Sequence, residues 1–139
     1  MAAKKPKKLT MPGNKWVSHV RVEFQWNGEK LKGALEQAVY TGITDGVLMM
    51  LEESQRLCPH DTGVLMRSGA WGYDKQNHVG SVSYGNGDAP YALFIHENPL
   101  GYTIHQGRED HWLQKTFQGE PGQRAARDLQ RRIAEALNG

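Results

Sequence analysis

The sequence predicts an α+β domain, in which a small antiparallel sheet of about three to four strands packs against one long helix, with short helices toward the C-terminus. Two patterns support this prediction. Residues 16–26 alternate apolar and polar side chains, as a half-buried strand does, and residues 29–57 place apolar side chains three and four positions apart, as an amphipathic helix does. Because 139 residues supply one hydrophobic core, we expect a single domain over residues 16–139.

The first 15 residues differ in composition from the rest of the chain. They combine lysines with two prolines, a glycine and few bulky apolar groups, so burial cannot offset the entropy lost on ordering. We predict a disordered basic N-terminal arm over residues 1–15. Its charges are candidates for contact with a partner, because basic tails attract acidic protein surfaces and nucleic acid. These candidates are Lys4, Lys5, Lys7 and Lys8.

The first strand and the long helix follow the arm. Asn27 breaks the strand and is the predicted N-cap of the helix. Pro59 is predicted to end the helix, because proline has no backbone N–H to donate. Glycine inside a helix costs about 1 kcal/mol relative to alanine, so the helix glycines indicate a bend or the close approach of another backbone. These glycines are Gly33, Gly42 and Gly46.

The rest of the domain is predicted from turn residues and short apolar runs. A helical turn over residues 64–66, capped by Asp61 or Thr62, comes first. Residues 90–97 are apolar, but eight residues do not distinguish a strand from a short helix, and residues 98–108 form an irregular loop. The other predicted elements are strands 69–74 and 78–85, a helix over 110–117 and a last helix with the apolar stripe Ala125, Leu129, Ile133 and Leu137.

Two absences in the sequence narrow the class of protein. Cys58 is the only cysteine, so no internal disulfide forms, and a lone thiol suits a reducing compartment. No stretch approaches the roughly 18 uncharged residues that a membrane-spanning helix requires. The sequence therefore predicts a cytoplasmic protein without a membrane segment.

The candidate catalytic motifs are incomplete. Asp61-Thr62-Gly63 matches the tripeptide of aspartic proteases, whose chemistry needs two such carboxylates, but the chain has one copy. The histidines and acids around His105 and His111 lack the four-residue spacing of a helical zinc pair. We expect no catalytic residue, no cofactor and no metal ion. The alternatives are a small hydrolase that uses Asp61 and the histidines, and a basic nucleic-acid-binding module.

Three short blocks lie in a fixed order along the chain. They are a Pro-x-Asp-Thr-Gly-x-Leu-x-x-Ser block after the long helix, a Tyr-Ala-x-x-x-x-Glu block, and a Trp-Leu block before the last helix. Their order and spacing resemble the neck or tail-completion proteins of long-tailed bacteriophages, the family that includes lambda-type minor tail protein Z. Trp112 stands where that family usually has Phe. The matching residues are Pro59, Asp61, Thr62, Gly63, Leu65, Ser68, Tyr91, Ala92, Glu97, Trp112 and Leu113.

The resemblance implies a structural virion protein of the head-tail junction, with no catalytic residue and no cofactor. Copies of such a subunit form a ring, 6- or 12-fold, between the portal or head-completion proteins and the tail-terminator or tail-tube proteins, near the packaged DNA. The protein would assemble in the host cytoplasm and remain in the virion. The copy number, the neighbouring ring, contact with DNA, and a phage as against a phage-derived tail-like particle stay open.

The resemblance also suggests what the first block does. Asp61 would cap backbone amides of a tight loop, because a carboxylate accepts hydrogen bonds from amides that lack a partner. Gly63 would supply the conformation of that loop, since glycine reaches backbone angles that other residues avoid. Leu65 would anchor the loop in the core.

The second block and the loop after it receive roles from the same resemblance. Glu97 would be a buried or interface acid, and such an acid needs a cationic partner, here Arg56 or Arg67. The loop before the third block, with Tyr102 exposed, would insert between subunits. We therefore count Tyr102 with the arm lysines as a partner-contact candidate.

Overall fold

The computed structural model confirms the predicted α+β class. It describes residues 20–25, 33–60, 63–87, 89–104 and 107–138. The elements are β1 (Val20–Gln25), α1 (Ala34–Leu57), α2 (Val64–Arg67), β2 (Ala70–Asp74), β3 (Val79–Tyr84), α3 (Ala92–Glu97), α4 (Trp112–Gln118) and α5 (Glu120–Asn138). The predictions that lie outside the described residues are those on the arm with Lys4, Lys5, Lys7 and Lys8, on Asn27, and on Asp61 and Thr62.

The sheet has the strand order β1-β3-β2, and β3 pairs antiparallel with both neighbours. Val82 of β3 lies opposite Val22 of β1 and Trp71 of β2. Strands β2 and β3, predicted at residues 69–74 and 78–85, form a hairpin. At its turn the Asp74 carboxylate accepts hydrogen bonds from the backbone N–H of Asn77 at 3.2 Å and from its side-chain Nδ2 at 2.8 Å. These bonds replace ladder hydrogen bonds where the chain reverses.

Helix α1 ends where the sequence predicts and begins later. It ends at Leu57, just before Cys58 and Pro59. The predicted earlier start of the helix, near residue 29, is wrong, because Gly33 occupies the N-cap position with a positive φ of 57°. Gly33 therefore lies outside the helix and marks its beginning, since glycine adopts a positive φ without strain.

Helix α1 lies between the sheet and α5, and one glycine permits each contact. A Cβ on Gly80 of β3 would lie 2.5 Å from Ile43 Cγ2 and 2.8 Å from Val47 Cγ1, so only glycine lets α1 pack this close to the sheet. A Cβ on Gly42 would lie 2.6 Å from Leu129 Cδ1 of α5. The close approach predicted from the helix glycines is thus confirmed at Gly42.

The C-terminal helices complete the core. Gly119 separates α4 from α5, close to the predicted break. Three of the four predicted stripe residues of α5 are buried. Leu137 is 61% exposed, so the prediction that it belongs to the buried stripe is wrong. Because α1 begins only at Ala34, no described part of α1 extends far enough to cover Leu137. The largest fully buried side chains are Trp112, Tyr84, Ile43, Met50, Leu113, Leu129, His96, Val39, Val47 and Val82.

Candidate functional site

An apolar groove of about 300 Å³ opens on the surface of the domain. Three segments line it: the loop after α1 with the start of α2, helix α3, and the loop after α3. The first two segments carry the first and second motif blocks, which are distant in sequence and meet here. The residues of these blocks that line the groove are Pro59, Gly63, Leu65 and Tyr91.

The first wall of the groove begins at the C-terminus of α1, where Arg108 fixes the chain. Its guanidinium Nη1 donates hydrogen bonds of 2.9–3.3 Å to three backbone carbonyl oxygens. These acceptors are Gln55, Arg56 and Cys58. The backbone N–H of Glu109 donates a further bond of 2.8 Å to the carbonyl of Leu57. A cation at this position satisfies carbonyls that have no partner within the helix and complements the helix dipole.

Gly63 gives the first wall its shape. It has a positive φ of 85°, and a Cβ there would lie 2.5 Å from Arg67 Nη1 and 3.2 Å from His60 Nε2. The conformational role expected for Gly63 is therefore confirmed. Gly63 also occupies the N-cap position of α2.

Leu65 and Ser68 fasten α2 to the sheet. The Leu65 side chain is buried in the core, as expected for the anchor of this block. Ser68 Oγ donates a hydrogen bond to the carbonyl of Leu65 at 2.6 Å and accepts one from the N–H of Gly85 at 2.9 Å. Because Gly85 follows β3 directly, the first block holds the groove wall against the end of the central strand.

The second wall is α3, the segment that the sequence left between a strand and a helix. Helical spacing places Tyr91, Phe94 and Ile95 along the groove. Ala92 and His96, four residues apart, are fully buried on the opposite side. Sequence reasoning missed this wall. The signal that predicts it is the three- and four-residue spacing of Tyr91, Phe94 and Ile95.

The third wall is the loop that carries Tyr102, and Asn98 braces it. Asn98 has a positive φ of 42° at the end of α3. Its Oδ1 accepts a hydrogen bond from the N–H of Tyr102 at 3.0 Å, and its Nδ2 donates to the Tyr102 carbonyl and to Asp110 Oδ2, each at 3.0 Å. The hydrogen bond that Asn98 donates to Asp110, together with one from His111, lowers the pKa of Asp110 to about 2. Tyr102 is 62% exposed, which confirms the prediction for its side chain.

Glu97 lies beside the groove with partners that the sequence did not predict. Its side chain is half-exposed and accepts a 2.7 Å hydrogen bond from Nδ1 of the buried His96, and His111 Nε2 lies 3.6 Å away. The predicted pairing with Arg56 or Arg67 is wrong, because the two histidines surround the carboxylate and Arg56 pairs with Glu53 instead. The N–H of His111 also donates to the His96 carbonyl at 2.7 Å. This cluster joins α3 to the start of α4.

The third motif block lies in the core behind the groove. Trp112 and Leu113 are fully buried, as predicted. The Trp112 ring makes edge contacts with His96 at a centroid distance of 4.7 Å and with Tyr84 at 5.5 Å. Tyr84 is in turn hydrogen-bonded to Ser54 Oγ of α1 at 2.6 Å. The third block therefore supports the groove through α3 and does not line it.

The described residues around the groove have the chemistry of binding. Burial raises the pKa of Cys58 to about 12, so its thiol is not ionised at neutral pH and is a poor nucleophile. Among the described residues, no three His, Cys, Asp or Glu side chains converge in a way that suits a metal ion. The groove instead presents aromatic and aliphatic side chains beside a few polar groups. Such surfaces commonly mark contacts between proteins.

Comparison of the chain with protein-family models, with curated proteins and with solved structures gave no match. In the part of the chain that the structure describes, every helix is too short or too polar to cross a bilayer. What the groove binds is therefore inferred from its own geometry and from the motif blocks that form it.

Proposed function

We propose that this protein is a structural virion component of the head-tail junction, a neck or tail-completion subunit of a long-tailed bacteriophage or a phage-derived tail-like particle. It forms a ring, 6- or 12-fold, between the portal or head-completion proteins and the tail-terminator or tail-tube proteins. One observation carries the proposal: the first two family blocks form adjacent walls of one apolar groove. The third block packs behind that groove.

The exposure of large side chains at the groove supports an assembly role. Four large apolar side chains are exposed there in the isolated chain: Tyr91, Phe94, Leu100 and Tyr102. Exposing such a cluster to water does not stabilise a protein, and clusters of this kind usually mark a contact site. Aromatic side chains are enriched at the centres of protein interfaces because each buries a large area at a low cost in side-chain entropy. Asn98 holds the loop that carries Tyr102 before any partner arrives, which lowers the entropy cost of binding.

The arm and the location of the protein follow from the same proposal. Lys4, Lys5, Lys7 and Lys8 contact an acidic surface of a neighbouring ring or the packaged DNA. The subunit is made in the host cytoplasm and stays in the virion. The activity is assembly alone, without a catalytic residue or a cofactor.

The alternatives receive less support from the described residues. A hydrolase would need a nucleophile or a paired acid at the groove, whereas Cys58 is buried. A nucleic-acid-binding module would need free cations, but three arginines of α5 are paired with acids. These pairs are Arg127–Glu120 at 2.8 Å, Arg131–Glu135 at 3.1 Å and Arg132–Asp128 at 2.8 Å.

The test is joining of heads to tails in the particle that encodes this chain. We expect a Tyr91→Ser and Phe94→Ser double variant to fold with a loss of unfolding free energy of under about 2 kcal/mol, because both side chains are half-exposed. We expect electron micrographs of cells that make only this variant to show filled heads and separate tails.

The matched control is Leu137→Ser, which removes an exposed apolar side chain far from the groove. It should give joined particles at the wild-type frequency. Joined particles at the same frequency from the double variant, or from a strain that lacks the gene, would contradict the proposal. Immunogold label should lie at the neck.

A further inference from the structure

The large apolar side chains exposed in the described part of the chain fall into two groups. One group lines the groove or lies in the loop that borders it and is called the groove surface: Tyr91, Phe94, Leu100 and Tyr102. The second lies on α1 and the edge strand β2 and is called the strand-edge surface: Tyr40, Leu48 and Trp71. Each side chain is between 37% and 65% exposed, and among the described residues Leu137 alone belongs to neither group. The described part of the chain therefore has two separate apolar surfaces.

The strand-edge surface is continuous along β2 and α1. A Cβ on Gly69, just before β2, would lie 3.0 Å from Leu51 Cδ1, and the Tyr73 ring makes an edge contact with the Tyr40 ring at a centroid distance of 5.1 Å. Strand β2 thus runs antiparallel to α1, which places Trp71 opposite the turn of α1 that carries Leu48. Side chains of adjacent elements form this one surface.

Among the strands that the structure describes, β2 is an edge of the sheet. It pairs with β3 on one side, and β1 occupies the far edge. Natural edge strands are usually protected by lysine, proline or a bulge. The sequence of β2, Ala-Trp-Gly-Tyr-Asp, has neither lysine nor proline, and its register with β3 is regular. The edge beside Trp71 is therefore suited to contact with another chain.

The two surfaces lie on different sides of the domain. Helix α3, which carries the groove, packs against β1, and the strand-edge surface borders β2 at the opposite edge. A two-fold dimer would join one surface to itself. Two unlike surfaces on opposite sides instead permit a head-to-tail contact, in which each copy uses one surface toward each neighbour.

Groups of opposite charge border the strand-edge surface and the first wall of the groove, whereas the acid Glu97 lies at the end of the second wall. Asp74 follows Tyr73 in β2, and Glu36 lies one helical turn before Tyr40, whose ring contacts Tyr73, so two carboxylates lie beside the strand-edge surface. Arg67 and His60 lie beside Gly63 in the groove wall. Opposite charges across an interface favour one partner orientation and speed encounter.

We propose that the strand-edge surface of one copy packs onto the groove surface of the next copy, with Trp71 entering the groove. A volume of about 300 Å³ is at the small end for a ligand pocket and has room for one large aromatic side chain. The closure of such contacts into a ring rests on the proposed function. The contact itself does not depend on that function and can be tested with the purified 139-residue chain.

The test uses two variants that each lose one surface. Trp71→Glu removes the strand-edge surface and Phe94→Glu removes the groove surface. In sedimentation velocity, wild type should form species larger than a dimer, and each variant alone should be monomeric. A 1:1 mixture of the two variants should form a dimer of twice 15.6 kDa and nothing larger, because one intact surface of each kind remains.

Two further variants guard against misfolding, and one is a control. Leu48→Glu and Tyr102→Glu should behave like Trp71→Glu and Phe94→Glu respectively, and all four should keep the wild-type circular dichroism spectrum. Leu137→Glu places the same charge on an exposed residue outside both surfaces and should associate like wild type.

Three results would overturn the proposed contact. They are a monomeric wild type at the highest soluble concentration, variants that associate like wild type, and a 1:1 mixture that stays monomeric. Failure of the proposed function looks different: head-to-tail association would follow the expected pattern while particles without the gene still join heads to tails. The two ideas are therefore separable.

Discussion

The contact surfaces of α1 and the groove are built in opposite ways. At α1, glycine on each contact surface lets large side chains of the neighbouring element come close, as Gly42 does for Leu129 and Gly80 does for Ile43. At the groove, Tyr91 and Phe94 are half-exposed on a wall that the buried His96 and Trp112 support from behind. The difference indicates that stability resides around α1 and recognition at the groove.

The largest expected effect comes from the residue where the two regions meet. Trp112→Ala should lower the free energy of unfolding by about 3–5 kcal/mol, because a fully buried aromatic side chain leaves a large cavity. Urea unfolding followed by circular dichroism measures this loss. The matched control is Trp71→Ala, a half-exposed tryptophan whose removal should cost under about 1 kcal/mol if stability resides in the core. Equal losses of unfolding free energy in the two variants would refute the view that stability resides in the core and not at the exposed surface.

A smaller effect is expected from pH, through His96. Burial lowers its pKa below the ordinary value of 6.5, although the hydrogen bond to Glu97 acts in the opposite direction. Below about pH 6.5 the unfolded chain therefore binds more protons than the folded chain. The contribution of His96 to the free energy of unfolding is fully present above about pH 6.5 and is lost as the pH falls toward the pKa of His96 in the folded chain. One pKa unit corresponds to about 1.4 kcal/mol.

The measurement for His96 is the urea midpoint at several pH values between about 7.5 and 5, which spans its ordinary pKa. We expect the decline to be reduced in His96→Asn and kept in His60→Gln, which alters an exposed histidine. The acid Asp110, whose pKa is held at about 2, contributes only below its ordinary pKa of 3.8 and leaves this window unaffected. An identical decline in His96→Asn and wild type would show that another group titrates.

The smallest expected effect is on the loop that carries Tyr102. Asn98→Gly keeps the positive φ but removes the three hydrogen bonds of the side chain, so the free energy of unfolding should fall by about 1 kcal/mol. Amide hydrogen exchange of residues 99–104 should accelerate while exchange in α1 is unchanged. Equal acceleration in both regions would mean that the loop is part of the core and not a separately braced recognition element.

The sequence predicted the elements whose pattern is long and regular. Alternation around Val22 and the helical spacing through Ile43 and Val47 were sufficient to predict the first strand and α1. The start of α1 was missed because Gly33 was counted as a helix glycine, whereas its positive φ sets the boundary. The exposure of Leu137 was missed for a related reason. Its position in the apolar stripe of α5 does not indicate where α1 begins.

The groove was harder to predict, because it depends on contacts between distant segments. The motif blocks contain Gly63, Leu65 and Tyr91, but no local pattern predicts that these residues line one groove. The partners of Glu97 were both missed: His96 lies next to it in sequence, and folding brings His111 to it across the loop. The role of Gly63 was predictable from its residue type, whereas the pairing of Glu97 depends on where its neighbours are buried and brought together.

The anchoring of the loop after α3 at both ends has a consequence for its evolution. Asn98 fixes the loop where it leaves α3, and Arg108 fixes its return to the end of α1. Between these anchors the chain can change in length at little cost, since doubling a loop adds only about 0.6 kcal/mol of closure entropy. The segment around Tyr102 is therefore free to diversify toward new partners while the helices that hold it remain unchanged.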